Sequence, residues 1–252
     1  MKMLIDTHCH VLSSEYENTE EIIKLSFDNR LDKMIINGFD LNSSIEAIEL
    51  AGKYDNVYAS IGIGPENVEN VTASDMKKIK ELARHEKVVA IGEIGLDYYW
   101  TRETRSKQIF VFSEMLKIAK ECNLPVIVHS RNAILDTYKF LKEYNVIGVM
   151  HCYSGSMEMA KEFIKIGFLI GIGGVVTFKN AKEIKNIVTN LDIKNIVLET
   201  DSPYLSPEPN RGKKNIPSNI YFVVEKIAEL KGITIDEVIS ITGQSACCKF
   251  DL

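Results

Sequence analysis

The chain has 252 residues, of which 45% are hydrophobic and 26% charged, a composition that excludes a disordered protein. Its formal net charge of -5 provides no general attraction to nucleic acid or to an anionic membrane, so a phosphate substrate requires local positive charge, such as bound divalent cations. Five cysteines without C-x-x-C spacing argue against a disulfide framework and favour a reducing compartment.

The N-terminal segment has no apolar signal region, and the longest nearly apolar run, residues 168–178, is too short to span a bilayer and contains glycines. We therefore expect neither secretion nor insertion into a membrane. Together with the cysteine pattern, these features predict a cytoplasmic protein.

Short β-branched runs alternate with longer amphipathic stretches along the whole chain, which predicts repeated βα units around a parallel sheet. The predicted strands are residues 3–7, 34–37, 57–61, 88–93, 125–129, 147–151, 168–172 and 196–200. About eight strands is the number that a closed (β/α)₈ barrel needs, and about 250 residues is its usual length. We predict an α/β fold, a (β/α)₈ TIM barrel in one domain over residues 1–252, with a doubly wound open sheet as the alternative.

Helix-like segments lie between the predicted strands. Residues 102–121 carry apolar side chains such as Phe112 and Leu116 at helical spacing, which predicts a helix packed against the sheet. Residues 218–250 predict two helices that separate near Gly232. Since no linker-like or low-complexity tract interrupts the pattern, the sequence predicts no internal domain boundary.

The first predicted strand leads into a pair of histidines, in the order Asp6-Thr7-His8-Cys9-His10. Alternation along an extended chain puts His8 and His10 on the same side, where two imidazoles can share one metal ion. Cys9 points the opposite way in this interpretation, so its thiol is left outside the site.

Four further ligand-type side chains fall at the ends of predicted strands four, five, six and eight: Glu93, His129, His151 and Asp201. In a parallel barrel the C-terminal ends of all strands open on one face, where active sites are built. The sequence therefore predicts that these residues meet the first two histidines. The fifth histidine, His85, lies in a polar segment and is interpreted as an exposed residue that closes a helix.

Imidazole and carboxylate ligands suit zinc, manganese or nickel, and a carboxylate such as Glu93 can bridge two ions. Two metal ions about 3.5 to 4 Å apart stabilise both oxygens of a phosphoryl displacement. Two roles are open for Asp201, ligation of one ion and acceptance of a proton from the attacking water. A structural alternative also stays open for both carboxylates, namely a buried ion pair or a helix N-cap, because Asp201-Ser202-Pro203 resembles a helix start.

Over nearly its whole length the chain resembles the TatD family of metal-dependent deoxyribonucleases, within the amidohydrolase-like barrels. The motifs that carry the resemblance, in the order of the family, are DTHCH at 6–10, GEIGLDYY at 92–99, LPVIVHSR at 124–131, HCYSG at 151–155 and ETDSPYL at 199–205.

The resemblance implies two divalent ions per chain. The ligands of one ion would be His8, His10, Glu93 and Asp201. Those of the second ion would be Glu93, His129 and His151. Asp201 would also serve the attacking water. The implied activity is hydrolysis of DNA phosphodiesters, as an exonuclease on single strands or frayed ends, with magnesium, manganese or zinc, and we expect a monomer.

Two positions depart from the family pattern. After strand three the family carries G-x-H-P-H, whereas this chain has Gly64 and Glu66 in place of the histidines. Neither belongs to the implied ligand set, so the doubt concerns phosphate binding or leaving-group protonation by that loop. Where the family commonly has N-E-P, this chain has Ile216, which removes a carboxylate from the rim.

Four residues are predicted to contact the substrate. Arg131 and Ser154 lie just past a histidine, and Arg211 belongs to a basic loop that could contact backbone phosphates. Tyr98 and the two aromatic residues after it could stack on a nucleobase. Helix capping, a solvated loop and packing at the rim are the respective structural alternatives.

Two other functions stay open. The metal ions could serve cleavage of an amide or of a carboxylic ester, including an aminoacyl-tRNA linkage, because a fold does not fix its substrate. The chain could also be a catalytically inactive metal-binding barrel, for which the replaced histidines after strand three are the support.

Overall fold

The computed structural model describes residues 2–100 and 102–252, without the side chain of Arg102. Eight parallel strands form one sheet in which each strand pairs with the next in the chain. The strands are β1 (Ile5–Cys9), β2 (Lys33–Asn37), β3 (Val57–Ile61), β4 (Val88–Asp97), β5 (Val126–Arg131), β6 (Gly148–Met150), β7 (Phe168–Ile172) and β8 (Ile196–Leu198).

Helices follow the strands around the outside of the sheet. Within the described residues they are α1 (Thr19–Asp28), α2 (Leu41–Gly52), α3 (Ala73–Leu82), α4 (Arg105–Cys122), α5 (Ile134–Tyr144), α6 (Met157–Lys165), α7 (Lys182–Asn190), α8 (Ile220–Lys231) and α9 (Ile235–Phe250). The predicted separation of the last two helices is confirmed, since Gly232 ends α8 in the left-handed conformation that glycine adopts without strain.

The sheet closes on itself between its first and last strands. The backbone N–H of Asp201 donates to the carbonyl of His8 at 2.9 Å, and the N–H of His10 donates to the carbonyl of Ser202 at 2.7 Å. The predicted (β/α)₈ barrel is therefore confirmed, and the open doubly wound sheet is wrong because that fold requires a reversal of strand order.

Apolar side chains fill the inside of the barrel as well as the layer between strands and helices. Every residue of β8 is buried, as expected for a parallel strand that is covered on both faces. Ile5, Ile127 and Val197 belong to a separate inner cluster that includes Phe250 of α9. The last helix thus closes the N-terminal end of the barrel, which leaves the opposite end for a site.

The fourth strand is longer than predicted. It continues to Asp97, and its register with β5 shifts between Ile91 and Ile94. Glu93 therefore lies inside the strand and not at its end. Close approach of the two strands requires glycine, because a Cβ on Gly95 would lie 2.0 Å from the carbonyl oxygen of His129.

In contrast, β6 and β8 end earlier than predicted, so His151 and Asp201 lie in the segments that follow them.

No helix in the described part of the chain combines the length and the apolar character needed to cross a bilayer.

The contact between α9 and the start of β1 provides a test of the packing. A Cβ on Gly243 would lie 2.1 Å from the carbonyl oxygen of Met3, whereas a Cβ on Gly52 in α2 would meet nothing within 4 Å. We predict that Gly243→Ala lowers the free energy of unfolding by about 1–3 kcal/mol because α9 must move away. Gly52→Ala, the matched control, should stabilise by up to about 1 kcal/mol. Urea denaturation measures both effects. Equal denaturation midpoints for the two variants would contradict the close packing of α9 against Met3.

Candidate metal centre

Strand β1 delivers two histidines to the mouth of the barrel. The Nε2 atoms of His8 and His10 are 3.0 Å apart, which confirms that both side chains lie on the same side of the chain. The Nδ1 of His10 faces the carbonyl oxygen of Asn37 at 2.8 Å and must donate to it, since a carbonyl only accepts. That hydrogen bond leaves the Nε2 of His10 with a free lone pair, the state in which imidazole ligates a metal.

The thiol of Cys9 points away from these histidines. Its Sγ donates to the carbonyl oxygen of Ile35 at 3.4 Å, and burial raises the pKa of this thiol well above its usual value. The predicted direction of the Cys9 side chain, away from the two histidines, is confirmed.

The carboxylate of Glu93 lies between two groups of histidines. Its Oε2 atom is 3.5 Å from the Nε2 of His8 and 3.4 Å from the Nε2 of His10. Its Oε1 atom is 3.1 Å from the Nδ1 of His129 and 3.9 Å from the Nε2 of His151. One carboxylate that presents each oxygen to a different set of nitrogens has the arrangement required to bridge two ions.

Glu93 is ionised in this setting. Burial acts to raise the pKa of its carboxyl, but hydrogen bonds with His129 and His8 and the charges of neighbouring histidines hold that pKa well below its usual range. A carboxylate kept in its ionised form at the centre of the cluster favours the binding of a cation.

Asp201 reaches the same place from the segment after β8. Its Oδ1 atom is 3.5 Å from the Nε2 of His10, 3.7 Å from that of His8 and 3.9 Å from that of His151. The helix-cap alternative for Asp201 is wrong, since the residue has a positive φ of 55° and the next helical turn in the described chain begins only at Pro217. Burial opposes ionisation, but the charges and hydrogen bonds of His151 and His10 lower the pKa of the Asp201 carboxyl.

Two further carboxylates lie behind the histidines. The Nε2 of His129 pairs with the Oδ2 of Asp97 at 3.0 Å, so that Nδ1 is the nitrogen that faces Glu93. The Nδ1 of His151 lies 3.4 Å from the Oε1 of Glu199, which leaves Nε2 toward the cluster. Carboxylates in this position orient ligating imidazoles and raise their basicity. Although burial acts in the opposite direction, the hydrogen bonds and charges of Asp97 and Glu93 raise the pKa of His129 to about 10.

The sequence pattern alone does not indicate these supporting groups. Asp97 and Glu199 belong to the quoted motifs, but nothing in their spacing indicates which histidine each contacts. Asn37 contributes a backbone carbonyl, which has no sequence signal. The structure also shows how Glu199 is accommodated, because a Cβ on Gly171 of β7 would lie 2.5 Å from its Oε2 atom, so the glycine makes room for the carboxylate.

The donor atoms fit divalent cations. Two groups of three ligand atoms lie within 4.8 Å of one another, from His8, His10 and Asp201 and from His8, Glu93 and His151. Nitrogen and carboxylate oxygen donors suit zinc, manganese and similar ions. A third group includes Cys152, but burial raises the pKa of that thiol well above its usual value, so it is a poorer ligand.

The predicted substrate contacts lie around this cluster, though not all face it. Arg131 ends β5 and is exposed, and Ser154 is exposed in the loop after β6. The guanidinium of Arg211 lies 4.3 Å from the ring centroid of Phe178, and its Nη1 is 3.9 Å from Glu208.

Tyr98 is occupied by other groups. Its hydroxyl donates to Asp136 at 3.0 Å, and the guanidinium of Arg105 lies 4.5 Å from the centroid of its ring. The position therefore offers little free ring surface to a base.

The positions that depart from the family pattern lie at the rim. Gly64 and Glu66 are at the turn after β3, with Gly64 buried and Glu66 exposed. Next to the half-buried Ile216, the amide of Asn215 donates to the carbonyls of Thr200 at 3.0 Å and Tyr204 at 2.7 Å. This buried amide fixes the segment that carries Asp201.

His85 is exposed after α3, as predicted, and its Nδ1 accepts a hydrogen bond from the backbone of Lys87 at 3.2 Å. The fifth histidine thus provides a natural control for changes at the other four.

Comparison with known proteins agrees with this geometry. The family model described as TatD related DNase matches residues 5–251. YabD of Bacillus subtilis, an uncharacterized metal-dependent hydrolase, is 44% identical over 248 residues that cover 97% of both chains. YcfH of Escherichia coli K12, named in the same way, is 36% identical over 246 residues, 95% of this chain and 92% of that protein.

The solved structure of YjjV, a TatD homolog from Escherichia coli K12, superimposes with a TM-score of 0.92 at 28% identity, over 99% of this chain and 98% of that one. Barrel, cluster and relatives together define a metal-dependent hydrolase. Within that class the chain belongs to the family of TatD-related DNases.

Substitution of single ligands should affect the two proposed ions differently. We predict that Glu93→Gln weakens the binding of both ions, whereas His129→Ala reduces bound manganese or zinc from about two ions per chain to about one. Loss of a ligand should weaken binding by at least about 100-fold, because loss of an outer partner alone typically costs about 10- to 100-fold.

Elemental analysis and calorimetric titration measure these effects, with His85→Ala as the matched control that should keep wild-type stoichiometry. Retention of both ions by Glu93→Gln at wild-type affinity would rule out the bridging role.

Proposed function

We propose that the protein hydrolyses phosphodiester bonds of DNA with two divalent cations held at the mouth of the barrel. The observation that carries the proposal is the position of Glu93, whose two oxygens face different histidines at 3.1 to 3.9 Å. The family to which the chain belongs is described as a DNase family, which supports DNA as the substrate.

The ligands of the first ion would be His8, His10, Glu93 and Asp201. The ligands of the second would be Glu93, His129 and His151. Of the ions suggested by the donor set, magnesium and manganese suit oxygen-rich phosphate substrates, while zinc and nickel suit the imidazoles. When bound, the cations neutralise the phosphate and stabilise the attacking and leaving oxygens.

Asp201 would accept the proton of the attacking water. Its pKa is lowered, so the carboxylate is ionised at neutral pH and able to accept a proton. Its side chain is 13% exposed, as is that of Glu93, whereas that of His8 is fully buried, so solvent reaches both carboxylates. Glu93 would help to hold both ions, which would supply the positive charge for the phosphate.

Side chains at the rim would bind the strand on either side of the cleaved bond. Arg131 is exposed, and in the described part of the chain its guanidinium contacts aromatic rings and no carboxylate within 4.0 Å. Its charge is therefore free to meet a phosphate. Arg211 is partly neutralised by Glu208, so we expect a weaker contribution, and Ser154 could donate a hydrogen bond to a phosphate oxygen.

Cleavage assays with single-stranded and duplex oligonucleotides test the proposal. We expect cleavage with manganese or magnesium, none after chelation, and greater activity on single strands or frayed ends. Asp201→Asn, which keeps the shape of the side chain but accepts no proton, should lower kcat by about 10²- to 10⁴-fold.

Metal content is measured on the same samples, so that loss of ions is separated from loss of the proton acceptor, and His85→Ala serves as the control. Absence of metal-dependent cleavage of any DNA would reject the nuclease. Cleavage of small amides or of aminoacyl-tRNA under the same conditions would favour a C–N or carboxylic ester hydrolase, and a protein that binds metals but cleaves nothing would be an inactive barrel.

A further inference from the structure

Two aromatic side chains stand exposed beside the metal centre. Tyr99 and Trp100 follow β4 directly and are 53% and 61% exposed. Their ring centroids are 4.6 Å apart, with the ring planes at 87° to each other. Aromatic rings gain free energy when they are covered, so two adjacent rings that stay exposed to solvent indicate a surface that binds a ligand.

The backbone of this pair is tied to the metal centre by one carboxylate. The Oδ1 of Asp97 accepts from the N–H of Tyr99 at 2.8 Å and from that of Trp100 at 3.0 Å. Its Oδ2 pairs with the Nε2 of His129 at 3.0 Å. Since Asp97 is fully buried, the aromatic pair is held at a fixed place relative to a proposed metal ligand.

Arg131 completes the surface from the neighbouring strand. It lies two residues after His129 in β5, so the alternation of the strand directs both side chains to the same side. Its guanidinium is 4.1 Å from the ring centroid of Tyr99 and 5.2 Å from that of Trp100. We name Tyr99, Trp100 and Arg131 the aromatic platform.

We propose that the aromatic platform stacks an unpaired nucleobase of the strand whose phosphate lies at the metal centre, an inference that rests on the proposed function. Every base has a flat π face, but neighbouring bases cover that face inside a duplex. An exposed ring pair next to the reacting phosphate therefore favours a single strand or an end that has frayed. The cation of Arg131 would both hold the rings and approach the adjacent phosphate.

The alternative of a purely electrostatic site does not explain the arrangement. Binding of the phosphate backbone needs only the cation of Arg131, which leaves the two exposed rings packed beside it without a role. Tyr98 differs from its two neighbours because Asp136 and Arg105 already engage it, so the platform begins at Tyr99.

Trp100 is the single tryptophan of the chain and provides a direct signal. Its fluorescence is followed during addition of phosphorothioate-linked oligothymidylate, which resists cleavage, to the manganese-loaded protein. The comparison probes are an abasic oligomer of equal length with the same linkage and a blunt duplex. We expect quenching by the oligothymidylate and little change with either comparison probe.

Binding of a labelled oligothymidylate, measured by anisotropy, tests the side chains. Trp100→Ala and Tyr99→Ala should each weaken binding by about 5- to 150-fold, the range of a lost base–aromatic stack. The matched control is Phe110→Ala, which removes an aromatic ring that is 54% exposed on α4. That variant should bind as wild type, and urea denaturation checks that each variant is folded.

Equal binding of the abasic oligomer, tighter binding of the duplex, or wild-type affinity in Trp100→Ala would overturn the platform. The same holds if Trp100→Ala changes the oligomeric state but not DNA binding, because the rings would then belong to an interface between copies. Cleavage is measured separately. Cleavage without base-dependent quenching rejects the platform alone, and base-dependent quenching without any cleavage rejects the nuclease alone.

Discussion

The carboxylate of Glu93 faces two pairs of histidines, and the arrangement of the barrel mouth depends on this one side chain. Burial of an ionised carboxylate costs free energy unless opposite charge and hydrogen bonds surround it. Here the surrounding nitrogens come from β1 and the residue after it, from β5 and from the segment after β6. The free-energy cost of burying the carboxylate is therefore offset only when these three segments are correctly aligned with β4. The close approach of β4 to β5 at Gly95 makes that register possible.

Three of the four histidines have a polar group behind the ring, and these groups are of two kinds. The backbone carbonyl of Asn37 accepts a hydrogen bond from His10. The carboxylate of Asp97 pairs with His129, and that of Glu199 lies 3.4 Å from the Nδ1 of His151. An imidazole that interacts with a carboxylate through its second nitrogen is more basic than one that interacts with a carbonyl. His129 and His151 are therefore chemically different from His10. Asp97 also fixes the backbone of Tyr99 and Trp100, so one buried side chain connects a proposed metal ligand with the proposed base-stacking surface.

Much of the fold followed from local pattern. Alternating β-branched and amphipathic runs predicted eight strands and a barrel, and all six proposed ligands were placed near strand ends, where parallel strands must converge. The errors were at boundaries. Strand β4 continues past Glu93 because of a register shift with β5, and β6 and β8 end before His151 and Asp201. Register depends on side chains of the neighbouring strand, which lie about 20 to 35 residues away and leave no local signal.

The sequence by itself determined the barrel, the family and the residue types that gather at its mouth, because periodicity and motifs are properties of contiguous residues. Only the tertiary structure decided which atoms face one another. It assigned the two oxygens of Glu93 to different histidines, paired Asp97 with His129 and Glu199 with His151, and engaged Tyr98 with Asp136 while leaving Tyr99 and Trp100 exposed. Such choices depend on distances and directions between separate strands and loops, which exist only after the barrel has closed.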